Sequence, residues 1–197
     1  MSHSGWQRHS DGEVAIDKIL DAAGRTFARC GVRHATMIDV ARAAGCSRAT
    51  LYRYFPNQEA LHLAFVHRAT LRIALRLAED RRGGAPPSLA DRILAGIAAV
   101  RADPLLAVWF EPENMAVPIA VSQNSELLQA MSSGLVDQVG SGALGSEELE
   151  RRGEWLLRCI VSLLAMPGAD DEAERVLVES YVVPGLVTDA DQTRSHN

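Results

Sequence analysis

The chain has few aromatic residues, few cysteines and almost no lysine. Its 197 residues include four Phe, three Trp and three Tyr, three Cys, and a single lysine, Lys18, among 20 basic side chains. The cysteines, Cys30, Cys46 and Cys159, are isolated and odd in number. That pattern fits neither a disulfide framework nor a C-x-x-C metal site, so we expect three buried free thiols.

The sequence also lacks the patterns of secreted, membrane and catalytic proteins. There is no apolar signal-peptide run, and no stretch reaches the roughly 18 apolar residues of a membrane helix, which predicts a cytoplasmic protein without a membrane partner. No Ser-elbow, glycine-rich phosphate loop or His/Cys metal spacing occurs, and five of the six histidines lie at or before His67. We therefore expect no enzymatic activity, no metal and no cofactor.

The charge is unevenly distributed along the chain. A net charge of -5 taken alone argues against a nucleic-acid partner. However, residues 1–82 carry 13 Lys and Arg against 8 Asp and Glu, whereas residues 83–197 carry 7 against 17. The break GGAPPS, residues 83–88, coincides with this change of sign. The two halves are therefore expected to meet different partners.

Apolar residues recur at spacings of three and four almost everywhere, without the alternation or Asn-Gly turns of β-hairpins. This periodicity predicts an all-α fold. The predicted helices span residues 13–30, 37–44, 47–55, 58–82, 89–102, 104–119 with a break at Pro112, 124–139, 146–166 and 170–188. The joint GSGALGS, residues 140–146, lacks the Gly-Lys-Ser ending of a phosphate-binding loop.

The two short helices at residues 36–55 match the spacing of a helix-turn-helix. Thr36 and Asp39 give a capping-box-like start to the first helix, which carries the small residue Ala41. Gly45 lies in the turn, and Leu51 occupies the position where the second helix packs back on the first. Every position at which the motif restricts the residue type carries a suitable residue, so the pair is predicted to bind DNA.

The second helix of the pair has two distinct faces. Projection at 100° per residue places Leu51 and Phe55 inward and an arginine- and tyrosine-bearing surface outward, small enough for a major groove. Arg48 is the candidate for contacting guanine, and Ala49 permits close approach or contact with a thymine methyl. Tyr54 is either a phosphate contact or half-buried. The predicted DNA-binding residues of this region are Thr36, Ser47, Arg48, Ala49, Thr50, Tyr52, Arg53 and Tyr54.

The run from Thr36 through AGCSRATLYRYFPNQEAL to Leu61 resembles the DNA-binding domain of TetR-family transcriptional regulators. The family typically shows Ser-x-x-Thr-Leu-Tyr-x-Tyr/His-Phe and then Lys-Glu-x-Leu at the start of helix four. This chain has Gln58 in place of that lysine, so a DNA-backbone contact at Gln58 loses its charge but keeps a hydrogen-bond donor. The resemblance covers about residues 13–75.

The resemblance implies an N-terminal three-helix DNA-binding domain, joined by a long fourth helix to a C-terminal helical ligand-binding and dimerisation domain. It implies a repressor that binds a double-stranded palindromic operator as a homodimer and leaves it when a small molecule binds. We accordingly expect a disordered arm at residues 1–12, a DNA-binding domain at 13–60 and a regulatory domain at 61–197. The alternative is a helical interaction module whose vestigial helix-turn-helix no longer binds an operator.

Bulky, adaptable side chains in the second half are candidates for lining an effector cavity or for filling the core. They are Trp109, Phe110, Met115, Met131 and Trp155, and a cavity that they lined would take an apolar or aromatic molecule. Glu111 and Glu113 would select a cation if they faced inward, but a solvated break between helices is the favoured interpretation.

The last two long helices carry apolar stripes wide enough for both the chain's own core and a partner. The candidate dimerisation residues are Leu149, Leu156, Ile160, Leu163, Val176 and Tyr181. The pattern alone does not divide them between the core and the partner.

Overall fold

The computed structural model describes residues 4–79, 86–138 and 144–187, with side chains from residue 12 onward. Every regular element in these ranges is helical, which confirms the all-α prediction. The α-helices are α1 (Ser4–Cys30), α2 (Met37–Ala44), α3 (Arg48–Tyr54), α4 (Gln58–Glu79), α5 (Leu89–Ala102), α6 (Pro104–Ala107), α7 (Ala116–Asn124), α8 (Glu126–Asp137), α9 (Ser146–Ala165) and α10 (Asp171–Leu177).

Within the described part of the chain, each helix by itself is too short or too polar to cross a membrane. The pair formed by Leu89–Ala102 and Pro104–Phe110 passes the same test together, but it bends by 91° at its break.

The first helix begins at Ser4 rather than near Glu13, so most of the segment expected to be a disordered arm is helical. Once the packed part of a helix exists, each residue added to its end gains a hydrogen bond at little further cost, which favours such an extension. Parts of the predicted segments lie outside the described residues. They include residues 1–3 of the expected arm, residues 80–85 at the predicted end of the fourth helix and in the GGAPPS break, and residues 139–143 of the GSGALGS joint.

The expected helix at residues 104–119 is divided into several short pieces. After α6, two 3-10 turns at Val108–Phe110 and Pro112–Asn114 precede α7. Pro112 lacks a backbone N–H and holds Glu111 in an extended conformation, with φ -64° and ψ 144°. At the other end of the chain, α10 continues into a π-helical segment, Val178–Val182, and a 3-10 turn, Val183–Gly185.

Side-chain caps fix the ends of the helix-turn-helix formed by α2 and α3. The Thr36 hydroxyl accepts the Asp39 N–H at 3.2 Å, and the Asp39 carboxylate accepts the Thr36 N–H at 3.2 Å, which completes a capping box. The turn residue Gly45 has φ 67°, a left-handed conformation in which glycine carries no Cβ strain. The Ser47 hydroxyl then accepts the Thr50 N–H at 3.1 Å and starts α3.

Two hydrophobic cores meet near the middle of the molecule. The first joins α1–α4 to the segment that contains Trp109, and the second joins α5, α8, α9 and the C-terminal helical segment. Val100 and Phe110 pack against both cores. Helices α1–α4 are therefore in direct apolar contact with the second half of the chain.

Four aromatic rings form the centre of that contact, and we call them the aromatic junction: Phe27, His62, Phe65 and Trp109. The Phe65 and Trp109 rings stack with their planes 1° apart and their centroids separated by 5.5 Å. Phe27 meets Phe65 and Trp109 edge-on, with centroids 5.4 Å away in each case. His62 lies edge-on to Trp109 at 5.3 Å. Such pairs add about 0.5–1.5 kcal/mol each beyond the burial of their area.

The buried imidazole of His62 makes stability depend on pH. Burial lowers the pKa of His62 from 6.5 to about 4. The unfolded chain therefore binds a proton below about pH 6.5 that the folded chain accepts only near pH 4, so stability is fully present at neutral pH and falls as pH drops between these values. We expect the unfolding free energy to fall by about 2 kcal/mol more in the wild type than in His62→Leu between about pH 7 and pH 4.5.

Denaturant unfolding at several pH values measures this difference. Partial burial also lowers the pKa of His67, so that side chain adds a loss of the same sign to both proteins and cancels in the comparison. If the unfolding free energies of the wild type and His62→Leu fell equally as pH is lowered, the low pKa of His62 would be contradicted.

Candidate DNA-binding surface and apolar cavity

The short helix α3 presents the two faces expected from its sequence. Leu51 and Phe55 are buried in the first core, with 0% and 5% of their surfaces exposed. Arg48, Ala49 and Arg53 are exposed, and Tyr52 retains 42% of its surface. The outward face of α3 is therefore a cationic and phenolic surface attached to a rigid core.

The remaining polar residues of this region have intramolecular partners. The hydroxyl of Thr50 lies 2.9 Å from that of Ser47, and the hydroxyl of Thr36 donates to the Asp39 carboxylate at 2.5 Å. Tyr54 is half-buried, and its hydroxyl accepts a hydrogen bond from the Arg53 guanidinium at 3.4 Å. The Arg53 guanidinium also lies 5.0 Å from the centroid of that ring.

Gln58 lies where a DNA-backbone contact was expected, but its side chain is used inside the protein. Its amide nitrogen donates to the carbonyl oxygen of Ala35 at 2.8 Å. Asn57 caps α4 by accepting the Ala60 N–H at 2.8 Å, which places residue 58 in the first helical turn beside the segment that enters α2. Through one of its two amide N–H groups, Gln58 thus joins the start of α4 to the residue immediately before the Thr36 cap.

A cavity of about 530 Å³ lies between α4, α5, α7, α8 and α9, within the size range of ligand sites in proteins. Its walls are mostly aliphatic. They include Val66, Ile73 and Leu77 of α4, Ile93, Gly96 and Ile97 of α5, Val121 of α7, Leu128, Met131 and Leu135 of α8, and Leu157, Ile160 and Leu164 of α9. Trp109 and Phe110 close the side nearest the aromatic junction.

Three of the five predicted cavity residues, Trp109, Phe110 and Met131, line this space, and two do not. Trp155 faces outward with 48% of its surface exposed, and Met115 is half-buried outside the wall. Both fall in segments whose apolar pattern suits either face, so their orientation depends on packing with distant helices. Glu111 and Glu113 are exposed and line no part of this cavity, so the suggestion of a cation site here has no support.

The predicted dimerisation residues separate into an inner and an outer group. Leu156 is fully buried in the second core, so its side chain is not available to a partner, whereas Ile160 is half-buried and lines the cavity. Leu149 and Leu163 are half-buried against the same core. Val176 and Tyr181 face outward, with 47% and 71% of their surfaces exposed.

Several contacts that hold the molecule together were not visible as motifs. The buried Asn114 bonds to residues on both sides of the domain contact. Arg101 makes two hydrogen bonds of 2.7 Å to the buried Glu174. The Arg101 guanidinium holds the pKa of that carboxyl below its usual value. Arg101 and Glu174 are 73 residues apart along the chain, and Arg33 and Asn114 are 81 residues apart, so no local sequence pattern predicts these contacts.

A capped helix-turn-helix with an exposed arginine face, joined to a helical domain that encloses an apolar cavity, defines a DNA-binding transcriptional regulator. The family profile described as "Bacterial regulatory proteins, tetR family" matches residues 19–65. An uncharacterized HTH-type transcriptional regulator of Mycobacterium tuberculosis is 37% identical over 194 residues, which cover 96% of this chain and 94% of that protein. The chain belongs to the TetR family.

Other relatives agree with this assignment. The uncharacterized HTH-type transcriptional regulator YhgD of Bacillus subtilis is 28% identical over 192 residues, covering 88% of this chain and 98% of its own. The FadR proteins of Bacillus halodurans and Bacillus subtilis share the fold, with TM-scores of 0.52 and 0.54. Their identities are 17% and 19%, and the matches cover 87% and 86% of this chain and 94% and 96% of theirs.

The hydrogen bond from Gln58 to Ala35, at the entry to the helix-turn-helix, is expected to contribute to the stability of the protein. Gln58→Glu keeps the size of the side chain but replaces the amide donor with a carboxylate that repels the Ala35 carbonyl. We expect the unfolding free energy to fall by about 1–2 kcal/mol, as for other partly buried hydrogen bonds. Denaturant unfolding provides the measurement. Equal stability of Gln58→Glu and the wild type would contradict this prediction.

Proposed function

We propose that this protein is a ligand-responsive repressor, which binds a palindromic operator as a homodimer and releases it when an apolar molecule fills the cavity. The observation that carries the proposal is the position of Trp109. This side chain forms part of the cavity wall and is also stacked on Phe65 of α4 in the aromatic junction. A molecule in the cavity therefore acts on a ring that contacts the DNA-binding domain.

The long helix α4 gives a direct route from the cavity to the DNA-binding helices. Its middle and C-terminal part supplies five wall residues: Val66, Thr70, Ile73, Ala74 and Leu77. Its first residue, Gln58, is bonded to Ala35 just ahead of α2. A shift of α4 on ligand binding changes the position of the helix-turn-helix, and the ligand favours whichever arrangement of α4 binds it better.

The composition of the wall supports an apolar or aromatic effector. None of the described residues that line the cavity is a carboxylate, and the lining is dominated by aliphatic side chains, Phe110 and Trp109. The structure of the Bacillus subtilis FadR is that of a complex with stearoyl-CoA, so a long acyl chain is one ligand of that neighbour. We propose a molecule with a substantial apolar body for this chain too.

Exposed apolar side chains on α9 and the C-terminal helical segment support the homodimer. These residues, with the exposed fraction of each, are Trp155 (48%), Met166 (69%), Val176 (47%), Leu177 (42%) and Tyr181 (71%). Side chains of this size are costly to leave in water, and a second copy of the chain would cover them. A two-fold dimer would also present two copies of α3 to the two halves of a palindrome.

On the DNA side, we propose that Arg48 contacts a base edge and that the other exposed residues of α3 contact the DNA backbone. Arg48 and Ala49 are exposed in the first turn of α3, and Tyr52 and Arg53 follow on the outward face. Arginine makes paired hydrogen bonds to the O6 and N7 atoms of guanine, whereas contacts with phosphate position a helix without specifying sequence.

We expect Arg48→Ala to lower the affinity of the dimer for the preferred DNA site by at least about 25-fold and to relax sequence preference at one position of each half-site, because one bidentate base contact of about 1–3 kcal/mol is lost in each half-site. Selection from a random DNA pool gives the preferred site, and mobility shift with single-base variants gives the measurement. Arg76→Ala is the matched control, because it removes the same charge from an exposed position about 27 Å along α4 from Gln58.

Uniform weakening on all sequences by Arg48→Ala would move Arg48 to the group of DNA-backbone contacts. If the wild type shows no salt-sensitive binding to any DNA and Arg48→Ala changes nothing, the protein is instead an interaction module with a vestigial helix-turn-helix.

The ligand response is testable without knowing the ligand, by placing a side chain in the cavity. Gly96 of α5 lines the cavity, and a Cβ added there meets nothing within 4 Å. Gly96→Leu should therefore occupy part of the space that a ligand would take and also favour the helix, since Gly in a helix interior costs about 0.8–1.0 kcal/mol relative to Ala. We expect affinity for the selected DNA site to fall at least about tenfold, corresponding to about 1.4 kcal/mol of coupling.

Ala98→Leu is the matched control, because it adds a similar side chain to the exposed face of the same helix. Fluorescence of the neutral probe N-phenyl-1-naphthylamine reports the space left in the cavity, and its affinity should be lower for Gly96→Leu than for the wild type and Ala98→Leu. A lower probe affinity with unchanged DNA affinity would reject the ligand response.

A further inference from the structure

Asn114 is a polar side chain buried at the contact between the two halves of the protein. It ends the turn Pro112–Asn114, and none of its surface is exposed. Its amide nitrogen donates to the carbonyl oxygen of Val108 at 2.8 Å. Its amide oxygen accepts the backbone N–H of Arg33 at 3.2 Å. One side chain therefore bonds to the regulatory half and to the DNA-binding half.

The Arg33 end of this bridge lies in the turn between α1 and α2. Arg33 precedes the Thr36 cap of α2 by three residues, so the bond holds the segment that sets the start of the helix-turn-helix. The fit is close at Gly31, which has φ 78°. A Cβ placed there would lie 3.3 Å from the amide oxygen of Asn114. The backbone of this turn therefore lies close to the Asn114 side chain.

The Val108 end of the bridge adjoins the cavity. Val108 begins the 3-10 turn that continues into Trp109 and Phe110, both of which line the cavity. A 3-10 turn has poorer hydrogen-bond geometry than an α-helix and yields more easily. A molecule that pressed on Trp109 from inside the cavity would therefore act on the turn whose Val108 carbonyl is bonded to Asn114.

Another wall of the cavity is also held by polar contacts. Near the end of α5, Arg101 bonds to Glu174 and, at 2.7 Å, to the Leu163 carbonyl. Near its start, Asp91 pairs with Arg175 at 2.9 Å. Helix α5 is thus tied at both ends to adjacent residues of α10. On the side of Trp109, the cavity wall is the 3-10 turn that also packs into the aromatic junction.

We infer that Asn114 is a positioning residue that passes the state of the cavity to the helix-turn-helix, through its paired hydrogen bonds to the Val108 carbonyl and the Arg33 amide. The inference rests on the proposed ligand response of the same cavity. It adds a hydrogen-bonded path to the α1–α2 turn beside the apolar path through Phe65 and α4.

The test combines Asn114→Ser with the cavity-filling change Gly96→Leu. The quantity measured is the ratio of DNA dissociation constants with and without Gly96→Leu, on the site selected by the wild type. We expect a ratio of at least about tenfold with Asn114 present and of less than about threefold in Asn114→Ser. A merely structural role would weaken both members of the pair equally and leave the ratio unchanged.

Two further variants keep the test decisive. Asn114→Leu has a similar branched shape, loses both hydrogen bonds and buries no charge, so it replaces Asn114→Ser if that protein does not fold, and the same loss of ratio is expected. Thr26→Val is the control for general destabilisation, because it removes a buried hydrogen bond of 2.8 Å to the Ala22 carbonyl within α1. That variant should keep the full ratio.

Amide hydrogen exchange at residues 33–40 gives a second readout. Protection there should fall on Gly96→Leu when Asn114 is present and stay constant in Asn114→Ser. A large ratio that persists in both Asn114 variants would overturn the inference while leaving the ligand response intact. A ratio of one with Asn114 present would reject the ligand response and, with it, any signal for Asn114 to carry.

Discussion

The stacking of Trp109 on Phe65 is the interaction on which the rest of the structure depends. The two rings are parallel to within 1°, and they bring the regulatory half of the chain against the helix that leads to the DNA-binding domain. Phe27 and His62 complete the junction, so that α1, α4 and the segment after α6 share one core. Because Trp109 also forms part of the cavity wall, the core that stabilises the fold is the surface that a ligand would touch. On the proposed ligand response, stability and regulation would therefore depend on the same side chains.

The local features of the DNA-binding region were predictable because short-range rules determine them. Thr36 and Asp39 form the capping box that their spacing indicated, and Leu51 and Phe55 occupy the inward face of α3. The regulatory half was predictable only as helices. Trp109 and Trp155 both occur in apolar segments, yet one is buried in the cavity wall and the other is half exposed. That difference depends on packing against helices remote in the chain, which periodicity does not encode.

Polar residues were the least predictable part of the candidate sites, for a related physical reason. Gln58 was expected at the DNA surface but donates to a backbone carbonyl within the protein. Asn114 and the Arg101–Glu174 pair satisfy buried groups across 81 and 73 residues of chain. A buried polar group needs a partner, but the sequence does not state which distant group supplies it. The charge asymmetry was informative at a coarser level: exposed arginines lie on α3, and several acids of the second half form ion pairs between and within its helices.

The central claim is that the cavity and the DNA-binding surface are energetically coupled, and linkage makes this coupling measurable from the ligand side. If occupation of the cavity weakens DNA binding, then bound DNA must weaken occupation of the cavity by the same factor. The most direct measurement is the affinity of the wild-type protein for N-phenyl-1-naphthylamine, determined by fluorescence with and without saturating amounts of its selected DNA site. The account predicts an affinity at least about tenfold lower when the DNA is bound. An equal affinity in the two titrations would contradict it.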